Sequence, residues 1–571
     1  MPVNTSTLSW DEIEKWFTRT DPVPPHTFEL ALTLGGTVSA GGYTAGALDF
    51  LIEALDAWTA ARDNPETKSE VPQHKVVLRV VTGSSGGGVI AAIAGRALNF
   101  DFAPVSNGGL GALPVSGNPL YDTWVHTLTL DGFLQTHDLT GGLASVLSGQ
   151  PIDGGKGTIA QYRGTPRRAP RPWLGAPLRQ IITLTNLRGV PYKLPFAPDR
   201  EEVYVDHADY IRYAITYDGQ LPTSPPRPDE LQLNFGTESA ENWTNFAQFA
   251  CGTAAFPAGF PPRQVSRPTE HYRYRVVRRA PDDPTVARLP APNFEGLEPD
   301  WAAFGDPVPE TYDFVVVDGG ATDNEPIELA RTALCGVGGS NPRAPKEANR
   351  AVLLIDPFAG KSDLGPSQIG KFVAMLGAFA GGVIQQARCD SRDLMLAADP
   401  NVLSRFMLTP NRTLAVDGVQ RHLVGTDAIA SAGLGAFIGF AHSSFMHHDY
   451  MLGRTNCANF LRRDFTLPCD GAVMDGQWTE AQKTAFGRDV SQSGHVPIIP
   501  LVGRARQPQP TPPWPAGQLN PENYRFDIRR RFRGVLGTFG FRGKAAAIAL
   551  QCSAADYAID AIKAYLAKAH L

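Results

Sequence analysis

Two glycine-rich turns, each set between an apolar strand and a helix, constrain the fold of this 571-residue chain more than any other feature. Phe28-Glu29-Leu30-Ala31-Leu32-Thr33-Leu34 reads as a strand and runs straight into Gly35-Gly36-Thr37-Val38-Ser39-Ala40-Gly41-Gly42. A helix follows, because Leu48, Leu51, Ile52, Leu55 and Trp58 recur every three or four residues and form one apolar face. The β-branched run Val76 to Thr82 then meets Gly83-Ser84-Ser85-Gly86-Gly87-Gly88 and a second helix, rich in Ala and Ile, to about Leu98. Strand and helix in alternation predict a parallel sheet with right-handed crossovers. The fold class expected is α/β, with a central, mainly parallel sheet flanked by helices.

Further strands are expected at Ile181–Thr185, Tyr312–Val317 and Val352–Ile355. The Pro-rich stretches between them, 165–172, 221–228 and 281–292, read as surface loops or lids, since such runs do not fit a sheet interior. After about residue 360 the pattern turns mainly helical. The division expected is residues 1–27 as an N-terminal helix and linker, 28–360 as the α/β domain, and 361–571 as a mainly helical C-terminal region. Residues 4–18 read as a short amphipathic helix, and Ala428 to Phe445 as a buried helix pair, not a membrane span.

Composition excludes several classes. Hydrophobic residues make up 43% of the chain, enough to build a core. A net charge of -5 gives no reason to expect a nucleic-acid partner. The six cysteines (Cys251, Cys335, Cys389, Cys457, Cys469, Cys552) are scattered without CxxC spacing, so neither a disulfide scaffold nor a zinc site is expected. Cys251 reads as a small buried packing residue. The N-terminal stretch has neither a basic patch nor an apolar run, so a cytoplasmic location is expected, with peripheral membrane contact as its lipid-facing variant.

Three places carry chemistry. Gly83-x-Ser85-x-Gly87 between strand and helix is a nucleophile-elbow pattern: small neighbours permit the sharp turn, and the helix N-terminus faces the serine oxygen. The turn Gly35–Gly42 lacks both GxGxxG and GxxxxGK[ST], which leaves an oxyanion hole or a plain turn as its use. Asp318 follows the strand Tyr312–Val317 in Val317-Asp318-Gly319-Gly320-Ala321, and an acid at the C-terminal end of a parallel strand is where α/β sheets place their chemistry.

The order of these three signals resembles the patatin-like phospholipase family over about residues 28–360. Ala250-Cys251-Gly252-Thr253-Ala254-Ala255-Phe256-Pro257-Ala258-Gly259-Phe260-Pro261-Pro262 resembles that family's Pro-containing segment, and Asn324 and Pro326 resemble residues after its Asp-Gly motif. The resemblance implies a serine lipid acyl hydrolase. Ser85 would be the nucleophile and Asp318 the proton acceptor of a dyad, acting through an acyl-enzyme without metal or other cofactor. Gly35, Gly36, Thr37 and Gly41 would supply the oxyanion hole, Gly83 and Gly87 the elbow, and Gly319 and Gly320 the turn that frees the acid. The implied partner is a phospholipid or other lipid ester.

The family's first motif is commonly GGGxRG, and here Thr37, Val38 and Ala40 stand where Gly, Gly and Arg are expected. That departure keeps a second reading open, a weak or inactive scaffold that binds membranes or partners, and a transacylase with the same dyad is a third. A Ser-His-Asp triad would need His422, His442, His447, His448 or His495, none of which follows an obvious strand in a short loop. His447-His448-Asp449 reads as a polar helix segment against the core. Arg525, Arg529, Arg530, Arg531 and Arg533 read as a salt-bridged face, with docking on anionic lipid as the alternative.

Overall fold

The computed structural model describes residue 12 and residues 22–571, apart from 107, 198–199, 279–293, 338, 359–386, 389–390, 417–418, 511 and 539–544. The expected helix over 4–18, residue 12 apart, and the whole of the 281–292 insertion lie outside the described residues.

The first strand, β1 (Thr27–Leu34), is buried along its whole length. After the glycine turn comes α1 (Gly41–Asp63), then β2 (Lys75–Gly83) and α2 (Ser85–Ala97). The chain continues through α3 (Gln150–Gln161), the long strands β3 (Leu174–Ala197) and β4 (Arg200–Ile215), β5 (Glu230–Leu233), α4 (Ala240–Thr253), β6 (Arg263–Pro268) and β7 (Thr311–Val317). Next are α5 (Ile327–Cys335), β8 (Arg350–Ile355) and β9 (Arg405–Leu408). A hairpin of β10 (Asn411–Val416) and β11 (Val419–Val424) precedes α6 (Ser443–Arg463), α7 (Arg525–Thr538) and α8 (Ala545–Ala569).

The central sheet runs β9-β8-β1-β2-β3-β7-β6, and its first five strands are parallel. Although β1 is covered on both faces and paired on both edges, its residues alternate: Phe28, Leu30, Leu32 and Leu34 share one face, and Thr27, Glu29, Ala31 and Thr33 the other, where buried Glu29 is paired with Arg79 of β2 at 3.0 Å. Leu34 pairs with Gly83 on one side and with Ile355 on the other, so β1, β2 and β8 end at one rim.

The sheet departs from the sequence reading at β7. Asp318 was expected at the end of a parallel strand, but β7 is antiparallel to both β3 and β6. The cause is the length of β3, of which the expected strand Ile181–Thr185 is only the middle. While β4 lines one edge of β3, β2 and β7 share the other. Gly83 of β2 lies opposite Ile182, and Val317 of β7, arriving from the opposite direction, lies opposite Thr185. The two strands meet head-on, three residue steps or about 10 Å apart.

The chain beyond residue 360 returns β9 to the sheet beside β8 and lays α6 along α1. These two helices touch backbone to backbone: a Cβ added at Gly46 would stand 1.9 Å from Tyr450 O, and one at Gly453 would stand 2.1 Å from Tyr43 O. Arg454 enters the same interface and pairs with Asp49 and Glu53, all three buried. Asp49 also accepts from Asn118 Nδ2 at 2.8 Å. His447 Nδ1 lies 2.8 Å from Tyr121 Oη, and Asp449 accepts the N–H groups of Ala430 and Ser431. The His-His-Asp stretch is thus built into the core.

Residues 428–445 are not a helix pair. They form a series of short turns that leads into α6, broken by left-handed backbone at Leu434, Gly435 and Ala436 (φ 55°, 63° and 65°). Among the described residues no helix is long and apolar enough to cross a membrane. Of the C-terminal arginines, Arg525 and Arg529 pair with Asp556, Arg530 with Asp527, and buried Arg531 with Asp138. The salt-bridged reading of that cluster therefore holds for these four.

The α1–α6 contact gives a direct test. Gly46→Val is expected to force the helices apart and lower unfolding stability by about 3 kcal/mol or more. Gly157→Ala, on the open side of α3 where an added Cβ meets nothing, is expected to change stability by less than about 1 kcal/mol. Denaturant unfolding of both variants against the parent chain measures the difference.

Candidate active site

The gap between β2 and β7 is filled by the residues that follow them. Ser84 is extended and stands at the N-cap position of α2 without a side-chain capping bond, and Ser85 opens that helix with φ at 51°, the left-handed region that a non-glycine residue rarely adopts. The turn is possible only because its neighbours lack side chains. A Cβ at Gly83 would stand 2.7 Å from Gly87 O, and one at Gly87 would stand 2.2 Å from Leu34 O. Ser85 N–H donates to Thr253 Oγ1 at 2.8 Å, which fixes the turn from the side of α4.

Ser85 Oγ donates to Asp318 Oδ2 at 2.7 Å. The other carboxylate oxygen, Oδ1, accepts Gly320 N–H at 2.8 Å, and the Asp318 N–H is held by Ala255 O at 3.0 Å. Thr185 Oγ1 donates to Asp318 O at 2.7 Å. A Cβ at Gly319 would stand 2.3 Å from Thr183 O, so the turn after the acid lies directly on the stretch of β3 between the two strand ends. Burial pushes the Asp318 carboxyl up to about 6, against the lowering pull of its bonds to Ser85 and Gly320 N–H.

Asn324 joins the two glycine motifs. Its carbonyl accepts Gly36 N–H at 3.2 Å, and its Oδ1 fills the space that a Cβ at Gly36 or Gly320 would need. The structure redirects three of the four expected oxyanion donors. Gly35 N–H goes to Ile355 O at 3.2 Å, Gly36 N–H to Asn324 O and Gly41 N–H to Ser39 O. Ile355 and Asn324 belong to other segments and Ser39 to the same turn, so the first two amides tie the loop to its neighbours and the third closes the loop on itself. Among the described residues, Thr37 N–H is the one of the four with no backbone partner.

Val38, in a position where the family pattern has Gly, has φ at 45°, so the backbone keeps the conformation glycine would take. Behind the turn, Arg388 bridges Glu325 and Asp356, and burial with the neighbouring Glu325 charge pushes Asp356 up to about 6.

A pocket of about 570 Å³ opens onto Ser85 and Asp318. Its walls are largely apolar: Val89, Trp124, Leu128, Phe133, Ile152, Ile159, Phe256, Phe260 and Phe440, with Val38 and Gly86 beside the serine. Cys251 lines it too, and burial pushes its thiol up to about 12, which keeps it protonated and inert. The Trp124 ring lies against Gly41 and Gly86, where a Cβ would stand 2.3 Å and 3.1 Å from it. Trp124 and Thr253 carry no motif of their own, although Thr253 falls inside the Pro-containing segment.

Among the described residues no imidazole is hydrogen-bonded to Ser85 or Asp318. His447 faces Tyr121, His448 lies between Arg412 and Asp449, His442 binds Ser444 and His495 faces Thr466. His422 is exposed on β11. Among the described residues there is also no cluster of ligands that could hold a metal ion.

The family model described as patatin-like phospholipase matches residues 32–331. An uncharacterized protein of Sinorhizobium fredii, y4iI, is 32% identical over 527 residues, which cover 86% of this chain and 72% of that protein. Among solved structures, VipD from Legionella pneumophila covers 76% of this chain and 68% of its own at 11% identity. Its TM-score of 0.17 is too low to carry an argument. The matched stretch begins inside β1 and ends inside α5, so it contains both glycine turns, the serine elbow and the acid that faces it. With more than half its length in that match, the chain belongs to the patatin-like phospholipase family, whose members in general hydrolyse lipid esters.

Proposed function

We propose that the protein is a serine lipid acyl hydrolase in which Ser85 and Asp318 act as a two-residue catalytic unit. The observation that carries this reading is the 2.7 Å bond from Ser85 Oγ to Asp318 Oδ2 at the edge of an apolar pocket. Asp318 takes the hydroxyl proton as Oγ attacks the ester carbonyl of a lipid whose acyl chain lies along the aromatic wall. The alcohol leaves with that proton, and water then releases the fatty acid from the acyl-enzyme. Backbone N–H groups of Thr37, Val38 and Gly86, beside the serine at the N-terminus of α2, stabilise the oxyanion. Each such donor contributes about 3–4 kcal/mol in the transition state. This arrangement needs no Arg at position 40, because the donors are main-chain groups.

Ser85→Ala and Asp318→Asn are each expected to lower hydrolysis of a long-chain ester by roughly 10³-fold or more while circular dichroism stays unchanged. A fluorophosphonate probe should label the wild type at Ser85 and leave Ser85→Ala unlabelled. Wild-type-like turnover in either variant would rule out the two-residue unit.

The raised pKa of Asp318 predicts opposite trends for activity and stability. Activity requires the carboxylate, so it should rise through about pH 6 and be lost below it. In the fold the acid keeps its proton up to about pH 6, whereas the unfolded chain releases it near 3.8. The contribution to stability is therefore lost as pH rises from about 4 to 6 and stays lost above. Asp318→Asn is expected to be more stable than the wild type at pH 8 by on the order of 2–3 kcal/mol, and to show no such gain at pH 4. Thermal unfolding at the two pH values checks the sign.

A further inference from the structure

One of the residues that line the pocket holding Ser85 carries a charge that the reaction does not use. Lys156 lies on α3 between Ile152 and Ile159, and all three line the pocket. Its ammonium donates to Gln248 Oε1 at 2.7 Å, a neutral acceptor on α4. Asp153, one turn earlier on the same helix, is paired with Arg263 at 3.0 Å. Among the described residues no carboxylate is in ion-pair reach of Lys156, and its side chain is half-buried.

An ammonium has three donors, and here one of them meets a protein acceptor. Along an apolar wall the attraction between this cation and an anion is several times stronger than in water. A neutral ligand that filled the pocket would strip water from the cation and give no charge in return, which is unfavourable. A ligand that brought its own negative group would complete the pair with charge-assisted hydrogen bonds.

We propose that Lys156 recognises an anionic group on the substrate, so that the pocket selects negatively charged lipid esters over neutral acylglycerols. This rests on the reading of Ser85 and Asp318 as the reacting pair. Two sources supply the same chemistry: a phosphate in the head group, or a carboxylate on the acyl chain itself. Lys156 is a specificity-determining residue here, with no part in bond making.

Binding tests the proposal without turnover. In full-length Ser85→Ala protein, tryptophan fluorescence reads the affinities of three amphiphiles of equal chain length below their aggregation limits. These are a monoacylglycerol, a lysophosphatidic acid, and the monoglyceride of a dicarboxylic acid. The expected result is a preference for one of the anionic ligands over the monoacylglycerol of at least about tenfold. Lys156→Met should remove that preference and Lys156→Arg should retain it. Preference for the phosphate ligand assigns the head group, and preference for the dicarboxylic ligand assigns the chain.

Equal affinity for all three in the Ser85→Ala parent, or a preference that survives Lys156→Met, overturns the proposal. The Arg variant keeps the test valid if the Met variant folds poorly. Hydrolysis by the wild type without any binding preference would sink this inference alone. A binding preference in a wild type that cleaves no ester would sink the hydrolase reading alone.

Discussion

The site depends on one constraint: two strands running in opposite directions share a single edge of β3 and stop short of each other. A hydroxyl and a carboxylate 233 residues apart in sequence are brought to 2.7 Å because the chain has to turn away at both strand ends. The turns lie on Thr183 and Thr185, which pack against Gly319 and bond the Asp318 carbonyl. The backbone ladder therefore sets the distance between the two oxygens.

Holding those turns in place requires close backbone approach at several levels. Gly83, Gly87 and Gly319 let main chains lie nearer than side chains would permit. Ser85 and Val38 remain in left-handed conformations that cost about 1–3 kcal/mol each. The surroundings must supply the compensation. Thr253 anchors Ser85, Asn324 anchors Gly36, and the α1–α6 contact with its buried Arg454 pairs holds the helix that follows the first turn. The divergence of the first motif fits this picture. Backbone conformation is retained at Val38, and the ring of Trp124 packs on the glycine next to Ala40.

Much of this was legible in the sequence, and what was missed has a physical reason. The runs Phe28–Leu34 and Val76–Thr82 read as strands because they are rich in apolar and β-branched residues and each ends at a glycine turn that opens a helix. Ser85 and Asp318 were visible because small residues have to flank a sharp turn. Strand direction was not visible at Tyr312–Val317, since an apolar run reads the same either way. The amides of Gly35, Gly36 and Gly41 were assigned to an oxyanion. The carbonyls that take the first two, Ile355 and Asn324, lie some 290–320 residues away. The run Ala428–Phe445 has helix-like composition, and its left-handed break at Leu434 to Ala436 has only one glycine to mark it. Trp124 and Lys156 carry no motif and are recognised only by what they face.

The position of α6 in the chain has a consequence for the order in which the molecule is made. Arg454, which locks the helix behind the first glycine turn, is synthesised about 370 residues after Ser85. At 5–20 residues per second that is a delay of roughly 20–70 s. The strand beside β8 also arrives late, after residue 404. A nascent chain on the ribosome therefore carries its serine long before the brace behind it exists.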